Sequence, residues 1–330
     1  MKHFLLTAAA AAMVLALGSC AKTEVTDVPD SRYIGFDNAY IGNPTKAIVE
    51  ISSTTIDHFL VSGGYDGTQV FYNRRVAPNS NGEWTYSPLV EWVENQTYKF
   101  YAYAPESIIG TPTYDYTNGL SFDAFVVDNS NNQLDFVYAA SGEVLSGSEG
   151  SVRPKVQFTF GHMLSMIKFT IKSGFPNDVE LKISDFKFYG MNSTCDFDNG
   201  NWGTSSVKIE EDAPIKLKDG LAKADQTPTD YADNCVVLPQ AFSADVVYAK
   251  FTINVPVSTS IETAIENKVI TAKIPADTWE PGYSYNYIVT IDGQTLDFIT
   301  FDAPKVNTWE YENINMVNDD ETPGQVVGGN

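Results

Sequence analysis

FTFGHMLSMIKFTIK, residues 158–172, carries two alternating patterns that do not share a parity. Val156, Phe158 and Phe160 are separated by Gln157 and Thr159, whereas Ile167, Phe169 and Ile171 are separated by Lys168 and Thr170. Alternation with period two belongs to a half-buried β-strand, whose successive side chains point to opposite faces. One sheet face cannot hold both sets without an extra residue, so residues 161–166 are expected to form a bulge or tight bend. His162 falls at that irregularity and is read as a hydrogen-bonded structural histidine rather than a catalytic or metal-binding one.

The same texture extends outward. Residues 70–72, 98–103, 152–160, 179–188, 246–255 and 283–291 are rich in β-branched and aromatic side chains and are bounded by Gly, Pro, Asn and Asp. Residues 260–268 carry the one pattern that suggests a short helix. Many short strands at turn-punctuated intervals predict an all-β fold of β-sandwiches. The Ser/Gly stretch 141–150 is the best boundary, giving an N-terminal domain over 33–145 and a C-terminal domain over 150–317. Residues 318–330 form an acidic tail.

The N-terminus points to export. Lys2, an apolar run from Phe4 to Leu17 and small residues before Cys20 have the layout of a secretory signal over residues 1–19. Leu17-Gly18-Ser19-Cys20 resembles a bacterial lipobox, which makes Cys20 the expected lipidation site and residues 20–32 a tether to the membrane. The sequence Ala21-Lys22-Thr23-Glu24 loosely resembles a sorting signal of surface-exposed lipoproteins in Bacteroidetes. A net charge of −21 argues against a nucleic-acid partner, since phosphate binding needs clustered Lys and Arg. With 13% aromatic and 19% charged residues the chain has the composition of a globular protein. Beyond Cys20, only Cys195 and Cys235 remain, and they either form a disulfide or stay as buried thiols.

A search for chemistry returns little. His58 is the other histidine beyond the signal segment, and H-E-x-x-H, C-x-x-C, G-x-S-x-G and G-x-G-x-x-G are all missing. Residues 128–132 begin like a calcium loop, but Gln133 stands where the turn glycine belongs, and a polar hairpin loop is the plainer reading. The run Glu210-Glu211-Asp212 reads as a solvated acidic loop. No cofactor is expected, and no enzyme. The aromatics Trp84, Tyr86, Trp92, Tyr114 and Tyr116 allow a ligand-stacking platform, with Trp84 and Trp92 its best members, against the plainer reading that they fill a sandwich core and rim.

Several segments then fall in a recognisable order. They are Ile34-Gly35-Phe36 with Thr45-Lys46-Ala47, then residues 98–105 (YKFYAYAP), 133–139 (QLDFVYA) and 160–167 (FGHMLSMI). Residues 237–240 (VLPQ), 279–285 (WEPGYSY) and 306–309 (VNTW) complete the series. Together they resemble the fimbrillin family of Bacteroidetes, the FimA/Mfa-type subunits of type V pili. That resemblance implies two tandem transthyretin-like β-sandwich domains, exported as a lipoprotein to the outer membrane. It also implies a non-enzymatic subunit of a fimbrium that serves adhesion and partners other fimbrial subunits. Proteolysis after a basic residue removes the first strand in such proteins, and a strand from another subunit replaces it. On that pattern Lys46 and Ala47 flank the expected cut, and Ile34 and Phe36 belong to the removable strand; Arg32, Arg74 and Arg75 are the other basic candidates. The Gly/Pro-rich, acidic C-terminus suits a tip, accessory or minor subunit better than a stalk subunit. The alternative is a stand-alone surface lipoprotein that binds a glycan or host ligand.

Overall fold

The computed structural model describes residues 32–41, 56–129, 133–223, 231–294, 296 and 299–309. Among these residues the regular structure is all β-strand, with no helix. The first group of strands is β1 (Gly35–Ile41), β2 (Phe59–Tyr65), β3 (Thr68–Pro78), β4 (Trp84–Thr85) and β5 (Thr97–Ala104). It continues with β6 (Ile109–Asp115), β7 (Gly119–Val126), β8 (Val137–Leu145) and β9 (Lys155–His162). Then come β10 (Ser165–Ser173), β11 (Glu180–Tyr189), β12 (Asn192–Asp198), β13 (Asn201–Trp202), β14 (Ser206–Lys208), β15 (Ile215–Leu217) and β16 (Gly220–Lys223). The last are β17 (Tyr231–Val237), β18 (Gln240–Phe242), β19 (Tyr248–Val255), β20 (Ile265–Lys273), β21 (Asp277–Trp279), β22 (Tyr283–Ile291) and β23 (Lys305–Thr308).

The parity switch in residues 158–172 has a larger cause than a bulge. β9 belongs to a seven-stranded sheet of order β1-β9-β8-β5-β2-β3-β4, whereas β10 belongs to a four-stranded sheet of order β17-β10-β22-β23. Met163 and Leu164 carry the chain from one sheet to the other. Val156, Phe158 and Phe160 face the core of the first sheet, and Ile167, Phe169 and Ile171 face a different core. The two parities therefore answer to two interiors. The expected boundary at 141–150 does not coincide with a change of sheet, because these residues lie in β8 and its connection to β9, both in the seven-stranded sheet.

The seven-stranded sheet folds over on itself. β8 and β9 pair only at Val137–His162 and Tyr138–Gly161, so the sheet opens into two leaves beyond that hinge. At its far ends β1 comes to lie against β4. Between the leaves sit Phe36, Phe59, Phe71, Trp92, Tyr98, Phe100, Phe158 and Phe160, all buried. The outer face, carrying Leu60, Tyr101, Tyr103 and Tyr138, is covered by a sheet of order β13-β12-β7-β6 through Phe122, Phe125 and Phe197. β7 and β12 pair antiparallel although β8, β9, β10 and β11 intervene in sequence.

Most of the remaining strands form a sandwich of two layers. β17-β10-β22-β23 packs on β15-β11-β19-β20 around Phe169, Phe186, Phe188, Phe251, Trp279 and Tyr287. β10 and β22 run parallel in this sheet. In β11 the register slips between Ser184 and Lys187, where Asp185 takes φ 50°, and this lets both Ile183 and Phe186 face inward. The helix expected at 260–268 is not formed. Asp178 instead accepts hydrogen bonds from Thr259 Oγ1 and from Ser260 N and Oγ, holding a turn, and β20 starts at Ile265.

Candidate functional site

The first strand and the groove that holds it form the candidate site. The segment before it is clipped to residues 90–92: Ile34 N–H donates to Val90 O at 2.8 Å and Trp92 N–H to Arg32 O at 2.9 Å. Tyr33 bridges Glu91, and the Tyr86 hydroxyl donates to Ile34 O at 2.7 Å. Burial raises the Tyr86 pKa above its ordinary value. From Gly35 onward β1 runs parallel to β9, with an irregularity between Phe36 and Ala39.

Phe36 sits at the centre of an aromatic cage. It stacks on Phe158 at 6.0 Å between ring centroids and meets Phe71 at 5.7 Å and Tyr86 at 5.6 Å edge-on. Phe59 and Phe100 complete the cage, each at 6.1 Å. Only 3% of Phe36 is exposed, and Ile34 beside it is equally deep. Sequence reading named Ile34 and Phe36, but missed the cage, because its rings come from four other strands and from Tyr86.

Other singled-out residues fall elsewhere. Cys20, Lys46 and Ala47 lie outside the described residues. Arg32 stands in the clip itself, with its guanidinium over the Tyr33 ring. Arg74 and Arg75 lie inside β3, where both pair with β2, and Arg74 donates to Ser87 O.

Burial differs among the residues considered for a ligand-stacking platform. Trp92 is a core residue, packed edge-on against Tyr98 at 4.7 Å, and Tyr86 belongs to the cage. Trp84 is half-buried with its ring 5.0 Å from Phe59. Trp92 is thus a core ring, and Trp84 packs against the same core from its margin. The choice left open for the cysteines resolves to two free thiols, both buried. Cys195 lies in the core between the sheets and Cys235 chiefly in that of the two-layer sandwich, and burial pushes both thiols up.

His162 has structural partners. Its Nδ1 lies 2.6 Å from Asp135 Oδ2, both side chains being buried, and its ring stacks on Trp309. Sequence inspection does not reveal Asp135, which is distant in the chain. Gln133 docks on β17 rather than closing a calcium loop: it donates to Val236 O and accepts from Val236 N. Glu211 pairs with Lys250, which holds its carboxyl below the usual range. Among the described residues no three His, Cys, Asp or Glu side chains gather closely enough to hold a metal.

A family model described as Fimbrillin-like matches residues 50–309. No curated protein matches the chain in sequence. Among solved structures, a fimbrial protein from Bacteroides vulgatus shares 16% identity with a TM-score of 0.61, covering 84% of this chain and 100% of that one. A protein from Bacteroides uniformis, provisionally named for cell adhesion, shares 17% identity with a TM-score of 0.51 over 86% of this chain and 100% of its own. One from Bacteroides ovatus, named in the same way, shares 13% identity with a TM-score of 0.51 over 85% and 99%. At these identities the likeness is one of fold.

Proposed function

The chain belongs to the fimbrillin-like family, and from that premise we propose that it is a non-enzymatic fimbrial subunit serving adhesion, assembled by replacement of its first strand. The carrying observation is the position of β1. It is the outermost strand of its sheet, yet it places Phe36 at the centre of the aromatic core. The sequence between β1 and β2 contains Lys46-Ala47, so one cut there severs β1 from every other strand. Departure of β1 would bare the rings of Phe59, Phe71, Phe100 and Phe158, and a strand from another subunit would bury them again by β-augmentation. Each large apolar side chain so buried contributes roughly 1.5–3 kcal/mol before ordering costs.

In this reading the chain is exported on a signal over residues 1–19, acylated at Cys20 and carried to the outer-membrane surface before cleavage after Lys46. We read the folded-over sheet with its covering layer, and the two-layer sandwich, as the two transthyretin-like domains. The role proposed is that of a tip, accessory or minor subunit, in keeping with the acidic, Gly-containing composition of residues 318–330.

Fractionation of fibres sheared from native cells tests the proposal. Co-purification of this chain with fibres, resistant to detergent, is the expected result. Its recovery solely as a monomer in the membrane fraction would sink the proposal.

A further inference from the structure

We infer that an apolar groove beside β14 binds a lysine- or arginine-bearing segment of a protein partner. The groove stands apart from the strand replacement proposed above, since β7, β12 and β14 build it rather than β1 and its cage. These three strands lie side by side: Thr194 pairs with Val126 and with Ser206, and Asn192 pairs with Lys208. Beyond them the chain turns back through residues 210–213, where Ala213 N–H donates to Glu210 O. Asn129 Nδ2 ties that turn to the segment after β7 by donating to Ala213 O at 2.7 Å. The space so enclosed is about 320 Å³, with Val126, Val127, Val207 and Ile209 along it. That is the lower end of the size range of ligand pockets, enough for one or two side chains.

Val207 forms one lip of the groove and is held in an unusual state. It takes φ 57°, in the left-handed region that a β-branched residue rarely enters, and it is 65% exposed. Its surroundings enforce this conformation. Buried Ser193 donates its hydroxyl to Val207 O at 3.0 Å, and Ile209 N–H donates to Met191 O at 2.8 Å. Glycine would take the same backbone without strain and would leave nothing apolar facing water. A strained backbone that presents an apolar side chain to solvent serves contact rather than internal packing.

The rim selects the occupant. Asp128, Glu210 and Asp212 border the groove, against Lys208 as the basic residue of its lining. These acids belong to two segments that look unrelated in sequence, and the fold brings them to one opening. Glu211 pairs instead with Lys250. Among the described residues no three such side chains converge closely enough for a metal, so the acids flank an apolar floor rather than a coordination point. An alkyl chain ending in a cation matches both parts: its methylenes cover the valines and its charge meets the carboxylates. A protein segment fits better than a free amine, because much of Val207 lies open to solvent and takes a larger surface to cover. A second copy of this chain, with net charge −21, would bring like charge to a mostly acidic surface.

The test titrates the full, uncut chain, isotope-labelled at its valine methyl groups, with a terminally blocked peptide of sequence GLKLKG. The methyl signals of Val126, Val127 and Val207 are expected to shift saturably, with a Kd below about 1 mM, for this peptide and for its arginine form. Peptides with glutamine or glutamate in place of lysine should bind at least about fivefold more weakly, as should the lysine peptide to a chain carrying Glu210→Gln and Asp212→Asn. Val207→Gly should weaken the peptide about tenfold while the Tm stays at or above that of the native chain, a pairing that a merely structural valine would not give. No saturable shift with the lysine peptide, or equal binding by the glutamine peptide, would overturn the groove as a site for a basic segment. A lowered Tm for Val207→Gly would overturn its role as a strained lip. Spermidine binding as tightly as the peptide would overturn the protein partner in favour of a free polyamine. Self-association of the native chain that is lost with Glu210→Gln and Asp212→Asn would overturn it in favour of a second copy.

Discussion

The imidazole of His162 lies flat on the indole of Trp309, with centroids 4.2 Å apart and planes 11° from parallel. His162 ends β9 in the first sheet and Trp309 follows β23 in the two-layer sandwich, so this stack fastens the two together. Asp135 holds the ring edge through Nδ1 at 2.6 Å, and Gly282 binds both Leu164 O and the Trp309 N–H. The histidine that interrupts an apolar run is thus part of the joint between the sheets.

Trp309→Ala should lower stability by about 3–5 kcal/mol, the usual cost of removing a buried tryptophan. Urea denaturation checks the magnitude. A second check is the transition itself, which should broaden or split as the two units lose a shared contact.

His162→Ala leaves Asp135 buried beside an Oδ1 that already has no hydrogen-bond partner. The expected cost is about 1–3 kcal/mol or more for an unsatisfied buried acceptor. Adding Asp135→Leu should recover part of it. Additive losses in the double-mutant cycle would show that the two side chains are not coupled.

Phe36→Ala should cost about 3–5 kcal/mol in the uncut chain, and Phe36→Leu clearly less. Because the loss falls on the outermost strand, tryptic release of the segment before Ala47 should quicken in step.

Lys46→Gln should leave the chain uncut on native cells and absent from fibres, while Arg32→Gln changes neither. Immunoblots of membrane and fibre fractions report both outcomes. Fibre incorporation of an uncut Lys46→Gln chain would remove this position from the account.

Cys195 and Cys235 should resist alkylation in the folded chain at pH 8 and react at once in denaturant. Burial raises both thiols, so the folded state keeps its protons where the unfolded state begins to lose them. Their contribution is complete below the unfolded pKa of about 8.5 and falls as pH rises past it. Peptide mapping that found the two residues disulfide-linked would contradict the buried-thiol geometry.

The strands were legible because alternation is local. Residues 98–103, 179–188 and 283–291 each lie within or almost wholly within an observed strand, and the break after Phe160 was marked by parity. What the break meant was not legible. A bulge and a change of sheet leave the same signature in residues 158–172, and only the partners of β9 and β10 distinguish them. Pairing of β7 with β12 is equally silent, since antiparallel register depends on a strand far along the chain. The site shows the same limit. Ile34 and Phe36 are readable as an apolar alternation, but the fate of Trp92 was decided by Tyr98 and Phe100 packing on its ring. The helix at 260–268 failed because Asp178, from a distant turn, captured Thr259 and Ser260.

Intact mass and N-terminal sequencing of the chain recovered from assembled fibres on native cells test the central claim most directly. A polypeptide beginning at Ala47, free of Ile34 and Phe36, is the expected result. A chain in the fibre that still carries Ile34 and Phe36 would contradict it, because its groove would remain filled by β1.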